Sequence, residues 1–235
     1  MKKTFHSFLI GLAVVFSFGA AARADGTLKI SEADFLDKLK GGFVGEIVGV
    51  TYGAPYEFKY DGAMMPESAL GKWNPAAVLN AIYQDDIYVD LTFLEALEKY
   101  GLDITIEEAG DAFVVSKYDL WHANLIGREN LQKGIKPPLS GHPKYNEHAD
   151  DIDFQIEADV LGLISPGMPA AAQKLSWRIG HVMNYGDGVY GGVFMTAMYA
   201  AAYFESDPVK VVRAGLAAIP AESNYAKTIS DVVKA

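Results

Sequence analysis

The chain has 235 residues, half of them apolar, with 30 acidic and 20 basic residues, a formal net charge of −10 and no cysteine. That length and apolar content suffice for one core of ordinary size. The acidic balance argues against binding nucleic acid or an anionic membrane through phosphates, and the lack of cysteine excludes disulfides and a lipid-modified cysteine anchor.

The first 24 residues read as an export signal. Lys2 and Lys3 form a positive n-region, residues 8–22 are apolar apart from Ser17, and Ala22-Arg23-Ala24 fits a small-x-small cleavage site ahead of Asp25. That run is short for a membrane span, and no later segment reaches the needed length. The expectation is a cleaved signal over 1–24, one domain over 25–235, and a bacterial periplasmic or secreted location. Cleavage would remove three basic residues and no acid, taking the net charge from −10 to −13.

Ser31-Glu32-Ala33-Asp34 resembles a capping box with Asp in the usual Glu place, and it opens a helix. Phe35, Leu36, Leu39, Phe43, Ile47 and Val48 keep a helical period along it. Gly45, Gly49 and Gly53 fall at spacings of four. Glycine weakens a helix, so a closely packed neighbour is expected at Gly45 and Gly49. Gly53-Ala54-Pro55 ends the helix, and Glu57 follows in a loop.

Asn74-Pro75 signals another helix start, cap then first-turn proline. Its apolar pattern runs through Leu79 and Ile82, meets Gln84-Asp85-Asp86, and resumes at Leu91, Leu94 and Leu97 before Gly101 stops it. Two adjacent carboxylates on an apolar helical stretch are costly to desolvate unless something neutralises them. A hard divalent cation does so well, because Mg²⁺ and Ca²⁺ prefer oxygen ligands. Asp90 lies one turn beyond Asp86 on the same face. The ordinary alternative is a solvated acidic face.

Thr105-Ile106-Glu107-Glu108 is a capping box for a helix expected to run to about His122. Residues 124–150 carry several glycines and prolines and read as a long loop, a place where function concentrates. Asn124 stands at its start, and His122, just before it, is either a polar helix end or a substrate contact. Helical period returns over 152–164. Asp150 and Asp151 suit a helix opening, whereas Asp153 and Glu157 share a face and are better site candidates. A further helix follows Pro169, and residues 184–188 form a turn containing Asp187. Then comes a small-residue helix with Tyr190, whose ring suits stacking on a sugar or base as well as core packing. Asp207-Pro208 and Ser223 start two more helices. No stretch alternates like a strand, so the expected fold class is all-α.

Three segments carry a family resemblance. The run from Gly49 to Phe58, Gly49-Val50-Thr51-Tyr52-Gly53-Ala54-Pro55-Tyr56-Glu57-Phe58, resembles the glycine-rich N-terminal motif of the ADP-ribosylglycohydrolase family. Gln84-Asp85-Asp86 resembles its Thr-Asp-Asp metal motif. Ile179-Gly180-His181, with Gly186-Asp187-Gly188-Val189-Tyr190-Gly191-Gly192, resembles its Thr-His segment and following helix. The resemblance spans roughly residues 35–235. It implies an all-α helical bundle with two Mg²⁺ ions in a cleft and hydrolysis of a glycosidic bond at the anomeric carbon of ADP-ribose. On that resemblance Gln84, Asp85 and Asp86 are metal ligands, Glu57 and Asp86 are catalytic, and His181 lies near the bound ribose. Paired cations can orient sugar hydroxyls and activate water, and a carboxylate can act as general base.

The chain departs from that pattern in instructive places. Val50 stands where the family carries Asp, and Gln84 where it carries threonine. The acids over 150–159 would repel a diphosphate, which points to a neutral glycoside or nucleoside in place of ADP-ribose. His122, Asn124, Asp153, Glu157, His181, Asp187 and Tyr190 form the expected substrate-binding set. The family's Asp-x-Asp-Thr metal motif is absent from the sequence, so the chain reads as the N-terminal part of a longer enzyme and inactive alone. The competing readings are a catalytically inactive, family-derived binding or structural protein and a metal-free glycosidase using Glu57, Asp153 and Glu157. No protein partner is indicated.

Overall fold

The computed structural model describes residues 27–234, and the expected signal over 1–24 lies outside them. Among the described residues there are α-helices and 3-10 turns and no strand. Helix α1 is Glu32–Gly53, opened as expected by the Ser31 hydroxyl, which accepts the Asp34 N–H at 3.0 Å. Asn74 caps the next segment, Pro75–Tyr83, accepting from the Ala76 N–H at 2.9 Å. That segment winds as a 3-10 helix. It packs against α1 and buries Ala81, but its Leu79 and Ile82 are exposed, so only part of its apolar face receives the tertiary packing that normally stabilises an α-helix.

Helix α2, Asp85–Tyr100, begins directly after Gln84 and stops at Gly101, whose φ of 81° suits glycine. Helix α3, Ile106–Val114, carries the complete Thr105–Glu108 capping box. It ends earlier than the sequence pattern suggests, at a β-branched pair, Val114-Val115, of modest helix propensity. The chain then starts afresh at α4, His122–Gln132. Arg128 of α4 donates to the carbonyls of Tyr118, at 2.7 Å, and Ser116, at 3.4 Å, and so holds the connection folded back. His122 and Asn124 therefore open a helix, where the sequence placed the end of one and a loop.

The expected helix over 152–164 is split into a 3-10 turn, Asp153–Ile156, and a short α5, Asp159–Leu163. The cause is Phe154. Its ring fills a slot between Gly180 at the end of α6, Pro169–Gly180, and Gly192 in α7, Asp187–Ala202. A Cβ at either glycine would strike that ring. Helix α7 packs against α5, α6, the 153–156 turn and α8, Pro208–Ala217, and its glycines and alanines permit this close approach. Helix α9 is Asn224–Lys234, with the Ser223 hydroxyl accepting the Ala226 N–H at 3.1 Å. The main core gathers Val89, Phe93, Phe113, Leu161, Ile179 and Met183, with the Phe93 and Phe113 rings stacked at 5.8 Å.

The glycine stripe of α1 behaves differently from expectation. Gly45 and Gly49 meet nothing within 4 Å, and Gly42 is the residue pressed against Leu163 and Tyr199. The residues of α1 that are fully buried are polar, Glu46 and Thr51.

Candidate functional site

The centre of the site is the first turn of α2. Asp85 and Asp86 occupy its first two positions, where the helix dipole favours negative charge. Gln84 precedes them in extended conformation, and its side-chain amide donates to Asn80 Oδ1 at 2.7 Å. Burial pushes the Asp86 carboxyl up to about 6, its own backbone N–H opposes this, and the charges of Asp85 and Glu57 add to the rise. Glu57 is exposed in its loop, and the fold brings it within electrostatic reach of Asp86, as the motifs imply.

Below this turn lies a buried set that the sequence did not single out. Glu46 of α1 is 6% exposed, and neither of its carboxylate oxygens has a hydrogen-bond partner. Burial, then Asp159 and Asp86, push it up to about 8. Asp159 opens α5; its Oδ2 accepts the Tyr199 hydroxyl at 2.6 Å and its Oδ1 has no partner. Burial raises Asp159 to about 7, against the Tyr199 hydrogen bond. Asp90, one turn into α2, accepts the Val160 N–H on both oxygens, at 3.2 and 3.0 Å. It is held well above the usual carboxylate range by burial and by Glu46 and Asp159.

A second group flanks the first. Asp153 Oδ1 accepts the Asn124 N–H at 3.0 Å, so this carboxylate satisfies an orphan donor in the first turn of α4. The Asn124 side-chain amide donates to Glu157 Oε1. Glu157 is fully buried and is raised by that burial, by Asp153, and by Asp85 and Asp86. The sequence-predicted Asn124, Asp153 and Glu157 are thus brought together beside the α2 start. His122 stacks on His148 at 5.3 Å and lies 3.7 Å from Asp151 Oδ2. Asp151 does not open a helix, contrary to the sequence pattern; it bonds His148 Nδ1 at 2.8 Å.

The remaining predicted residues take other places. His181 is buried, its Nδ1 is 2.6 Å from the Trp177 carbonyl, and burial lowers its basicity. It belongs to a ring series in which Trp177 contacts His181 and Tyr190, and Tyr185 meets His181 edge-on. Tyr190 packs into this series and stays partly exposed. Asp187 accepts the Tyr225 N–H at 3.2 Å, and it lines a cavity of about 400 Å³ together with Asp151 and Gln155.

Among the described residues, the buried side-chain polar atoms without a hydrogen-bond partner are both oxygens of Glu46, Asn124 Oδ1, Asp153 Oδ2, Glu157 Oε2 and Asp159 Oδ1. All belong to these two groups. Buried polar atoms are nearly always paired, and a concentration of unpaired carboxylate oxygens is a donor set that a hard cation or polyhydroxyl ligand satisfies. Asp86 is the common member, its charge acting on Glu46, Asp90, Glu157 and Asp159. Sequence reasoning missed Glu46, Asp159, Tyr199 and Asp151. A faint signal existed for Asp151 in the Asp151-Ile152-Asp153 spacing; nothing local marks Glu46.

No curated protein and no solved structure matches the chain. The family model described as ADP-ribosylglycohydrolase matches residues 31–235, nearly the whole chain. That family hydrolyses glycosidic bonds, acts on ADP-ribosylated substrates and is typically metal-dependent. The match takes in α1, the paired acids that start α2, and α7, so this chain, with its partnerless carboxylates gathered around Asp86, belongs to the ADP-ribosylglycohydrolase family.

Proposed function

We propose that this protein is an exported, Mg²⁺-dependent hydrolase of a glycosidic bond, with Asp85, Asp86 and the Gln84 side chain as metal ligands. One observation carries the reading: carboxylates from α1, α2 and the 153–159 segment surround Asp86, and Glu46, Asp153, Glu157 and Asp159 among them keep buried oxygens without partners. An all-oxygen set of this kind suits Mg²⁺ better than a metal that seeks thiolate or imidazole. Residues 1–24, with their basic start and apolar run, support the export reading. The Asp-x-Asp-Thr segment implied by the family resemblance is absent from the 235 residues, and the proposal concerns the ligands that are present.

When bound, Mg²⁺ supplies Lewis acidity and a charge that orients sugar hydroxyls. Glu57, exposed beside Asp86, serves as general base and takes a proton from the attacking water. Asp86, between Asp85 and Glu57, would hold the ion beside that base. Asp187, partly exposed on the wall of the cavity it shares with Gln155, can accept hydrogen bonds from substrate hydroxyls. The same carboxylates disfavour a diphosphate, so the substrate class is a neutral riboside or other glycoside.

The test is calorimetry in Mg²⁺, comparing ADP-ribose with uncharged ribosides. The proposal expects the uncharged ligands to bind and EDTA to abolish that binding. Binding of ADP-ribose alone would overturn the substrate class, and binding that survives EDTA would overturn the metal.

A further inference from the structure

We infer that His122, Asp151 and Asp153 form a second cation site, selective for a borderline divalent metal of the Zn²⁺ class, that joins the start of α4 to the 148–153 loop. One ligand atom from each of the three lies within 4.8 Å of the others. Asp153 is only 5% exposed; its Oδ1 is engaged by the Asn124 N–H, and its Oδ2 has no partner. The group thus contains a buried carboxylate oxygen for which a bound cation supplies the missing partner. His122 and Asp151 are 48% and 36% exposed at their side chains, which leaves a path for an ion to enter and a coordination position for water.

The chemistry separates this site from the all-oxygen set at Asp85 and Asp86. An imidazole nitrogen with two carboxylates suits Zn²⁺ and its neighbours in the transition series, whereas Mg²⁺ seeks oxygen and keeps its water. His148 is placed as an outer partner, with its Nδ1 2.8 Å from Asp151 Oδ2 and its ring stacked on His122. Outer partners of that kind fix the orientation of metal-binding side chains. His122 sits at φ 39°, a left-handed conformation that asparagine adopts more readily than most residues with a Cβ.

The experiment uses the full chain stripped with EDTA and titrated with Zn²⁺ by calorimetry, and with Co²⁺ by visible absorption. One equivalent of Zn²⁺ is expected to bind in the presence of excess Mg²⁺, and Co²⁺ is expected to give the intense bands of a low-coordinate nitrogen–oxygen site. His122→Asn keeps a side chain that tolerates the left-handed backbone and removes the imidazole; it is expected to abolish both signals. His148→Ala, which removes only the outer partner, is expected to weaken Zn²⁺ binding about 10- to 100-fold. The double variant Asp85→Asn, Asp86→Asn is expected to retain the Zn²⁺ equivalent while losing Mg²⁺ binding, so the two sites fail separately. Absence of a tight Zn²⁺ equivalent in the wild-type chain overturns the inference. Zn²⁺ binding that survives His122→Asn, or that vanishes with the Asp85/Asp86 variant, overturns it too.

Discussion

Both carboxylate oxygens of Asp90 accept the backbone N–H of Val160, seventy residues away, and this contact fastens α2 to the start of α5. Asp90 shares a face with Asp86, so sequence spacing alone makes it look like a third ligand. In the fold it serves as a cap for a short helix that could not stand alone. The same contact fixes Asp159, the neighbour of Val160, against Tyr199 and within reach of Glu46.

Asp90→Ala leaves the Val160 N–H buried without a partner and is expected to destabilise the protein by about 1–3 kcal/mol. Asp90→Asn keeps an acceptor and is expected to cost less. Urea unfolding of the two variants checks the order, and equal losses would deny the capping role.

Phe154 seated between Gly180 and Gly192 holds Asp153 and Glu157 in place. Gly192→Ala puts a methyl group into that ring and is expected to cost about 1–3 kcal/mol by overpacking. Gly45→Ala, on the open side of α1, is expected to stabilise by a few tenths to about 1 kcal/mol, since alanine is the better helix former. Thermal unfolding of the pair reads both signs in one experiment.

Stability of the metal-free chain is expected to fall as pH rises from about 4 to about 8. Glu46 is raised from 4.5 to about 8 and Asp159 from 3.8 to about 7, so the folded state holds protons that the unfolded state has released. The groups facing them are Asp86, Asp90 and the Tyr199 hydroxyl, none of them cationic. The stabilisation is fully present below the unfolded values and is lost as pH passes through the folded ones. Each group titrating in that window contributes a slope of about 1.4 kcal/mol per pH unit. Unfolding midpoints in EDTA at pH 5 and pH 8 check it, and a higher midpoint at pH 8 would contradict it.

The parts of this fold legible in sequence were those written locally. The caps at Ser31, Asn74, Thr105 and Ser223 and the stop at Gly101 are each set by residues within one turn. Gln84-Asp85-Asp86 was legible for the same reason, two adjacent acids at a helix start. Glu46 was not, because it sits among ordinary helix residues and its acidic neighbours, Asp86 and Asp159, lie far along the chain. The early end of α3 was hidden too, since Arg128, fourteen residues beyond Val114, holds the fold-back. With that turn misplaced, the pairing of His122 with Asp151 could not be foreseen, and Asp153 and Glu157 were placed on a helix that Phe154 prevents.

The central claim is that the carboxylates around Asp86 hold a divalent cation, and the unfolding temperature with and without Mg²⁺ tests it most directly. A ligand that binds only the folded state raises that temperature with concentration. The account predicts that Mg²⁺ raises it for the wild-type chain, and that Asp86→Asn abolishes the rise. It also predicts that metal-free Asp86→Asn is at least as stable as wild type, because one of the repelling charges is gone. A wild-type chain indifferent to Mg²⁺, or an Asp86→Asn chain that responds equally, would contradict the claim.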